Sequence, residues 1–231
     1  MPVQASERRV APPDAKQPKV HHPIFARVYD RLTAGAEGEE GPLREELLSG
    51  LSGAVIEVGA GNGHNFVHYP ASVTRVLAVE PEQYLRKRAI ERAKEARVEI
   101  ELVDGVAERL PADDGSFDAA VACFVLCSVR DQAAALAELH RVIRPGGQLR
   151  FLEHVIANCS RLSRAQRIAD RTFWPLVGGG CHAARDTGAA IERAGFEIER
   201  CRRFPFRTSV VELLVTPHIL GMARRAGTTS P

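Results

Sequence analysis

Val-Ile-Glu-Val-Gly-Ala-Gly-Asn-Gly occupies residues 55–63, where an apolar run leads directly into three glycines at alternate positions. A short apolar run bounded by turn residues is typical of a fully buried strand. The glycines permit a tight turn and remove the side chains that would keep a ligand away from the backbone. An open α/β sheet binds its nucleotide where a strand, a glycine loop and a helix follow one another. The stretch therefore predicts a nucleotide-binding α/β fold.

The spacing of the glycines differs from the dinucleotide fingerprint. That fingerprint is G-x-G-x-x-G, which would place a glycine at position 64. The chain has His64 there, and its third glycine, Gly63, comes one residue earlier. The loop alone leaves two classes of adenosine-containing cofactor open, a dinucleotide and a smaller nucleoside derivative.

The rest of the chain alternates between strand and helix patterns. Five strands are predicted at 54–58, 75–79, 98–103, 117–124 and 147–152, with helices at 83–97 and 132–143 between them. Such alternation is typical of βαβ units, a parallel sheet and right-handed crossovers. Helices are also predicted at 24–32, 42–48, 160–173 and 187–194, with a Gly/Glu-rich loop between the first two. Two final strands are predicted at 196–201 and near 215–222.

Length and composition favour one globular domain. A chain of 231 residues suits a single well-buried core. The first 20 residues combine four prolines with charged and polar side chains, which predicts a disordered tail before a single domain at 21–231. The net charge of +2 gives no reason to expect a nucleic-acid partner. The sequence predicts no transmembrane segment and says nothing about the oligomeric state.

The cysteines indicate a reduced protein without a metal. The five of them form no Cys-x-x-Cys pair and no zinc-like spacing. Cys181 and His182 are adjacent, but two ligands without partners do not make a metal site. We therefore expect free thiols, a cytoplasmic location and no metal ion.

Polar residues follow the predicted strands at the edge where such sheets bind ligands. Glu80 lies about 20 residues beyond the glycine loop, where a carboxylate can accept hydrogen bonds from both hydroxyls of a ribose. Asp104 follows the third strand and can accept a hydrogen bond from the amino group of an adenine. The fourth strand ends in Cys123 and Phe124, which offer an apolar wall and free backbone groups.

These motifs together resemble the class I S-adenosylmethionine-dependent methyltransferases. The resemblance rests on Glu57-x-Gly59-x-Gly61-x-Gly63, on Glu80, on Asp104, and on the turn Arg144-Pro145-Gly146-Gly147, and it covers about residues 24–225. It implies a doubly wound, Rossmann-like sheet of seven strands, mostly parallel with the last strand antiparallel, and helices on both faces. It also implies S-adenosyl-L-methionine as cofactor. The residues expected to hold the cofactor are Glu57, Gly59, Ala60, Gly61, Gly63, Glu80, Pro81, Asp104, Gly105, Val106, Cys123 and Phe124.

A narrower resemblance is to the thiol S-methyltransferases of animals. It rests on Val125-Leu126-Cys127-Ser128-Val129, Glu153-His154-Val155, Gly180-Cys181-His182 and Pro217-His218-Ile219. It implies a small lipophilic acceptor, with a thiol as the preferred group. The first 20 residues show no apolar run, so we expect no hydrophobic membrane anchor there, unlike in that family.

The acceptor side of the site is less defined. Glu153 and His154 end the fifth strand and are the catalytic candidates, although both residue types are also common as hydrogen-bonded structural groups. Tyr29 and Trp174 are the candidates for substrate contact, against a plain packing role. Residues 155–185 are expected to form a lid over the acceptor. Within them, four arginines share one helix face beside Trp174, which suggests peripheral membrane contact or simply a solvated basic face.

Three other functions remain open. The nearest alternative is a quinone or phenolic C- or O-methyltransferase. An NAD(P)-binding oxidoreductase is disfavoured by the misplaced third glycine and by the two strands after the five-strand run. A noncatalytic domain that binds the cofactor for regulation would show the same cofactor motifs.

Overall fold

A seven-stranded sheet forms the centre of the computed structural model, which describes residues 23–207 and 210–227. The strand order is β3-β2-β1-β4-β5-β7-β6. Strand β7 is antiparallel to both of its neighbours, and the other neighbouring pairs are parallel. The strands are β1 (Gly53–Val58), β2 (Val73–Val79), β3 (Glu99–Val103), β4 (Phe117–Cys123), β5 (Ile143–His154), β6 (Phe196–Pro205) and β7 (Pro217–Arg225). The predicted fold class is confirmed, whereas the tail expected at 1–20 lies outside the described residues.

Six α-helices surround this sheet in the described part of the chain. They are α1 (Pro23–Leu48), α2 (Gln83–Ala93), α3 (Gln132–Val142), α4 (Ser160–Thr172), α5 (Trp174–Val177) and α6 (Thr187–Arg193). Short 3₁₀ turns occur at Phe66–His68 and Val210–Val215. Among the described residues, none of these helices combines the length and the apolar character needed to span a bilayer.

Both faces of the sheet are covered, because successive side chains of a strand point to opposite faces. In β1, Val55 packs into one buried cluster with Leu47 and Leu48 of α1. The next residue, Ile56, belongs to the other cluster, which includes Leu136 of α3 and buried residues of α6. A strand covered on both faces reads as a continuous apolar run, which explains the pattern that opened the sequence.

Helix α1 differs from the prediction of two helices separated by a loop. The structure has one continuous helix of 26 residues that contains Pro42. Besides its glycines, the Gly/Glu-rich stretch consists largely of glutamate and alanine, which are both strong helix formers. Burial of Arg44, Leu47 and Leu48 fixes the helix after the proline. Tertiary packing therefore extends a helix that local glycine and proline content would end.

Strand lengths at the end of the chain also differ from the prediction. Strand β6 extends to Pro205, because its pairing with β7 continues to Pro217. Strand β7 begins at Pro217, since a 3₁₀ turn occupies Val210–Val215. Helix α5 was not predicted, because four residues carry too little periodic signal.

Candidate cofactor and acceptor site

One cavity of about 490 Å³ opens at the carboxyl ends of β1, β2 and β4. This is the edge at which open α/β sheets bind ligands. Residues from the predicted site that line it are Tyr29, Gly59, Gly61, Glu80, Pro81, Val106, Cys123 and Phe124. Further lining residues, which were not among the predicted site residues, are Phe25, Leu85, Ala107, Glu108, Val125, Ser128, Val129, Arg130, Pro175, Gly179, Gly180 and His182.

The glycine loop brings bare backbone to the floor of the cavity. Gly59 has φ +63°, and a Cβ atom there would lie 2.3 Å from Val125 Cγ2. Gly61 has φ +57°, and a Cβ atom there would lie in contact with the ring of Tyr29 at 3.7 Å. Both positions favour glycine because side chains with a Cβ rarely adopt positive φ. The loop is therefore shaped to let a ligand approach the backbone between β1 and β4.

Three other residues of the motif do not line the cavity. Gly63 packs beneath the loop, where a Cβ atom would lie 2.8 Å from the ring of Phe66. Glu57 is 1% exposed and accepts hydrogen bonds from Asn65 Nδ2 at 2.7 Å and from Tyr69 Oη at 2.8 Å. Ala60 is buried as well. Glu57 and Gly63 thus fix the shape of the loop from below.

Glu80 joins the end of β2 to the glycine loop. Its Oε2 accepts from Gly61 N at 2.8 Å and its Oε1 accepts from Glu82 N at 2.8 Å. Burial raises the pKa of this carboxyl to about 7, against the backbone hydrogen bonds, which lower it. Each carboxylate oxygen can accept a second hydrogen bond. Glu80 is therefore aimed into the cavity with acceptor capacity for a pair of hydroxyls.

Apolar residues flank Glu80 on the side away from the glycine loop. Pro81, Leu85, Val106 and Ala107 line this part of the cavity. Asp104, predicted to contact an adenine, lies outside the lining, and its carboxylate pairs with Arg86 at 3.2 Å. The neighbouring Gly105 is buried below, where a Cβ atom would lie 2.9 Å from Val79 Cγ1.

The turn after β4 forms the opposite wall and contains the strained residue Phe124. Its φ of +56° is unusual for an aromatic side chain and marks backbone that the surrounding structure holds in place. The ring makes an edge contact with His218 at 5.6 Å between centroids. The preceding Cys123 lies 3.4 Å from the guanidinium of the buried Arg44.

Glu153 holds that turn from behind and does not line the cavity. Its carboxylate is fully buried and accepts three backbone hydrogen bonds, from Val125 and Leu126 at 2.9 and 2.8 Å and from Cys127 at 3.2 Å. Burial raises the pKa of Glu153, while these hydrogen bonds lower it. The carboxylate therefore positions the wall of the cavity rather than facing its interior.

His154 and Trp174 also point away from the cavity. Trp174 is 9% exposed and donates from Nε1 to Cys181 Sγ at 3.1 Å. The same sulfur lies 3.2 Å from His154 Nε2. The structure brings Cys127 into this group, so that two thiols and one imidazole lie within 4.8 Å of one another. No spacing rule could have found this cluster, because its members come from three distant segments.

The N-terminal part of α1 covers the cavity. Tyr29 lies over the glycine loop, and burial raises the pKa of its phenol. The next residue, Asp30, accepts from Asn62 Nδ2 of the loop at 2.8 Å. The ring of Phe25 occupies the space in which Gly179 would carry a Cβ atom. The helix is therefore tied to the cofactor loop on one side and to the turn after α5 on the other.

The segment around α5 closes the remaining side. Pro175, Gly179, Gly180 and His182 line the cavity there. His182 Nδ1 lies 3.1 Å from Asp170 Oδ2 of α4, so the ring orientation is fixed by a carboxylate. Beside it, Val125, Val129 and Pro175 give this end of the cavity an apolar surface.

The chain is similar to known methyltransferases. A family model described as a methyltransferase domain matches residues 56–151. The human thiol S-methyltransferase TMT1A is 36% identical over 205 residues, which cover 86% of this chain and 82% of the relative. The chain belongs to this methyltransferase family. The mouse thiol S-methyltransferase TMT1B is 39% identical, covering 89% of this chain and 86% of the relative.

Solved structures agree on the fold. An S-adenosylmethionine-dependent methyltransferase from Mesorhizobium loti superposes with a TM-score of 0.60 at 22% identity, covering 80% of this chain and 97% of its own. A geranyl diphosphate methyltransferase superposes with a TM-score of 0.64 at 14% identity, covering 82% and 78%. The protein is thus an S-adenosylmethionine-dependent methyltransferase, as the family membership and these neighbours agree.

The cavity fits S-adenosyl-L-methionine. Gly59 and Gly61 line the cavity with backbone alone, Gly59 packed against Val125 and Gly61 beneath the ring of Tyr29. Glu80 offers carboxylate oxygens at the distance along the motif expected for ribose hydroxyls. The apolar patch around Leu85 and Val106 suits a purine ring. The family membership and this lining agree on a methyl donor as the cofactor.

Proposed function

We propose that the protein transfers the methyl group of S-adenosyl-L-methionine to the thiol of a small lipophilic acceptor. The main support is the pair of relatives named thiol S-methyltransferases at 36% and 39% identity. The apolar acceptor end, with Val125, Val129 and Pro175, suits a lipophilic molecule. The alternative, a quinone or phenolic C- or O-methyltransferase, has no structural feature that favours it over a thiol.

In the proposed complex, the glycine loop and the Glu80 carboxylate hold the nucleoside part of the cofactor. The cofactor supplies a methyl group already activated on a sulfonium. The protein then has to align the acceptor with that group and keep water away. Phe124 and Val125 line the wall between the cofactor end and the acceptor end of the cavity, and Tyr29 covers the glycine loop. We assign these residues to alignment and to exclusion of water.

A thiol acceptor requires little proton-transfer help from the protein. A free thiol has a pKa near ~8.5, so an appreciable fraction ionises at neutral pH. Arg130 and Glu108 both line the cavity, and Arg130 N donates to Glu108 Oε1 at 2.8 Å, so the cavity carries charges of both signs there. The predicted catalytic roles of Glu153 and His154 gain no support from contacts with the cavity. We propose that both act on the acceptor through the wall that they hold in place.

The decisive experiment combines ligand binding with an acceptor screen. Thermal stabilisation is measured with S-adenosylmethionine, S-adenosylhomocysteine and NADH, because a ligand that binds only the folded state raises its stability. Methyl transfer is then measured with alkyl thiols, quinones and phenols. We expect stabilisation by the first two ligands and transfer to the thiols. Transfer to phenols or quinones alone would replace the thiol proposal, and binding without transfer to any acceptor would indicate a regulatory domain.

We also propose that residues 155–185 form a lid that meets a membrane surface. Beside the cavity mouth, large apolar side chains are exposed at Ile168, Phe173, Leu176 and Val177. The exposed arginines of α4 are Arg161, Arg164, Arg167 and Arg171. Exposed apolar groups beside a basic face favour an anionic lipid surface, from which a lipophilic acceptor could enter.

Vesicle binding tests this membrane contact. The variant Leu176→Ser/Val177→Ser should bind phosphatidylserine-containing vesicles several-fold more weakly than the native chain. Leu213→Ser is the control, since Leu213 is also exposed, at 55%, but lies outside the lid. Equal binding to neutral and anionic vesicles, or equal loss in the control, would refute the contact.

The free thiols further support the proposal that this enzyme works in the cytoplasm.

A further inference from the structure

Two cysteines and one histidine meet behind the acceptor wall. Cys127 lies in the turn after β4, His154 ends β5, and Cys181 follows the glycine turn after α5. The exposed fractions of the three residues are 1%, 9% and 7%. Their Sγ and ring nitrogen atoms all lie within 4.8 Å of one another. The closest approach joins Cys181 Sγ and His154 Nε2 at 3.2 Å.

We propose that Cys127, His154 and Cys181 bind one thiophilic divalent cation, with Zn²⁺ as the expected ion. Zinc binds thiolate sulfur at about 2.3 Å and imidazole nitrogen at about 2.0–2.1 Å in a tetrahedron, which sets ligand atoms about 3.5–3.8 Å apart. Cys181 Sγ and His154 Nε2 are slightly closer than this at 3.2 Å, and all three ligand atoms lie within 4.8 Å of one another. Small adjustments of the side chains would fill three of the four tetrahedral positions, with a water molecule as the fourth ligand and no rearrangement of the strands.

The donor set selects the ion by softness and by charge. Thiolate and imidazole ligands favour zinc over magnesium or calcium, which prefer oxygen. Binding releases the two thiol protons to solvent, and two thiolates then offset the charge of the cation. A neutral metal complex is compatible with a buried position, where an isolated charge would be costly. Glu153 and Arg185 lie near the cluster with opposite charges, so they add little net charge to it.

Hydrogen bonds around the sulfurs suit coordinated thiolates. Trp174 Nε1, which can only donate, lies 3.1 Å from Cys181 Sγ. Ser128 Oγ lies 3.3 Å from Cys127 Sγ and can donate to it. Hydrogen bonds of this kind orient metal ligands and tune the ion that they hold. A neutral thiol is a weak acceptor, so the same donors are better satisfied once the sulfurs are ionised.

The position of the site gives the ion a definite task. Ser128, Gly180 and His182 are sequence neighbours of the two cysteines and line the cavity. His182 N already donates to Cys127 O at 2.8 Å, so the two loops touch at this point. A cation shared by Cys127 and Cys181 would fasten the α4–α5 segment to the sheet directly behind the acceptor wall. This inference does not depend on which acceptor is methylated.

Metal binding is tested on the full chain without an affinity tag. The protein is stripped with a chelator, reloaded with Zn²⁺, dialysed and analysed by elemental mass spectrometry. We expect about one zinc per chain. Cys127→Ser and Cys181→Ser should each weaken zinc binding at least tenfold, whereas Cys159→Ser and Cys201→Ser, at exposed cysteines, should bind as the native chain does. Replacement by Co²⁺ should give a thiolate-to-cobalt charge-transfer band that the first two variants lose.

A second measurement uses only the native chain, in case the variants fold poorly. Removal of zinc should increase tryptic cleavage at the α4 arginines several-fold, and adding zinc back should reverse it. Three results would overturn the site: no retained zinc, equal retention in the Cys127→Ser/Cys181→Ser variant, or fewer than the five cysteines of the sequence titrating as thiols in the denatured chain without reductant. The last result would indicate a disulfide in place of the metal ligands.

Discussion

The two ends of the cavity are built in different ways. At the cofactor end, backbone hydrogen bonds join neighbouring segments, as from Gly61 and Glu82 to the Glu80 carboxylate. At the acceptor end, the turn after β4 depends on Glu153, which follows Val125 by 28 residues, and the turn after α5 depends on Phe25. A local change at the cofactor end therefore alters ligand binding first. The same kind of change at the acceptor end alters the fold around it.

The acceptor end should show the largest effect, through Glu153. Glu153→Ala leaves three buried N–H groups without their acceptor, at about 1–3 kcal/mol for each unsatisfied group. We expect the free energy of unfolding to fall by about 4 kcal/mol, measured by urea denaturation. Glu199→Ala is the control, because that acid pairs with Arg224 at the surface and should cost less than about 1 kcal/mol. Similar losses in both variants would contradict the role given to Glu153.

Gly59 lies where the two ends meet, and its replacement should have the next largest effect. Gly59→Ala combines positive φ with a clash against Val125, whereas Gly146→Ala has φ +75° and nothing within 4 Å of the new Cβ. We expect Gly146→Ala to cost about 1–2 kcal/mol from backbone strain alone. Gly59→Ala should cost about 3 kcal/mol and weaken cofactor binding. If urea denaturation gave the same loss of unfolding free energy for both variants, the turn after β4 would have to move aside easily for the new Cβ atom.

Glu80 tests the cofactor end by itself. Glu80→Ala should weaken S-adenosylmethionine binding by about 1–3 kcal/mol, measured by calorimetry, if two ribose hydrogen bonds are lost. The global stability should change less than in Glu153→Ala, because Glu80 holds fewer backbone groups. Unchanged affinity would remove Glu80 from the cofactor site.

The same carboxyl gives a pH dependence with a definite sign. Burial raises the pKa of Glu80 to about 7 from its ordinary 4.5, so the folded chain without ligand binds a proton more readily than the unfolded chain. Its contribution to stability is then greatest below pH 4.5 and declines as the pH rises to 7. Cofactor affinity should change the opposite way, rising to about pH 7 and levelling off above it. Glu80→Gln should lose this rise while keeping any titration of the ligand.

A surface pair should show the smallest effect. Arg202 of β6 donates to Glu46 of α1, with Nε 2.9 Å from Oε1. Arg202→Ala should lower the free energy of unfolding by less than about 1 kcal/mol. In 0.5 M salt the screening length is on the order of tenfold shorter than in dilute buffer, so the difference between the variant and the native chain should shrink further. A larger loss would mean that the contact between α1 and β6 contributes more to the free energy of unfolding than a surface ion pair should.

The sequence was most informative where the structure is local. The strand pattern, the glycine loop and Glu80 lie within 30 residues, and their chemistry is fixed by spacing and by backbone requirements. The acceptor end was harder to predict, because Glu153 and His154 end the same strand yet face away from the cavity into the protein. His182 drew attention only as a neighbour of Cys181, since its partner Asp170 lies 12 residues earlier, on α4.

The continuity of α1 was missed for a related reason. Its glycines and Pro42 indicate a break, and only the burial of Arg44 and Leu47 against the sheet makes one helix. Asp104 shows the converse, because a residue in the expected place for contacting an adenine pairs with Arg86 instead. Local patterns predict which backbone can form, whereas distant partners decide where the side chains point.

The order of strands at one edge has a consequence for synthesis of the protein on the ribosome. Among the described residues, β6 pairs with β7 alone, and β7 separates it from β5. As the chain emerges, β5 and β6 are therefore both complete before either has its partner on this side. The exposed edge of β5 can pair with other chains until Arg225 has left the ribosome. Chains stopped before β7 is complete should consequently aggregate more readily than full-length chains.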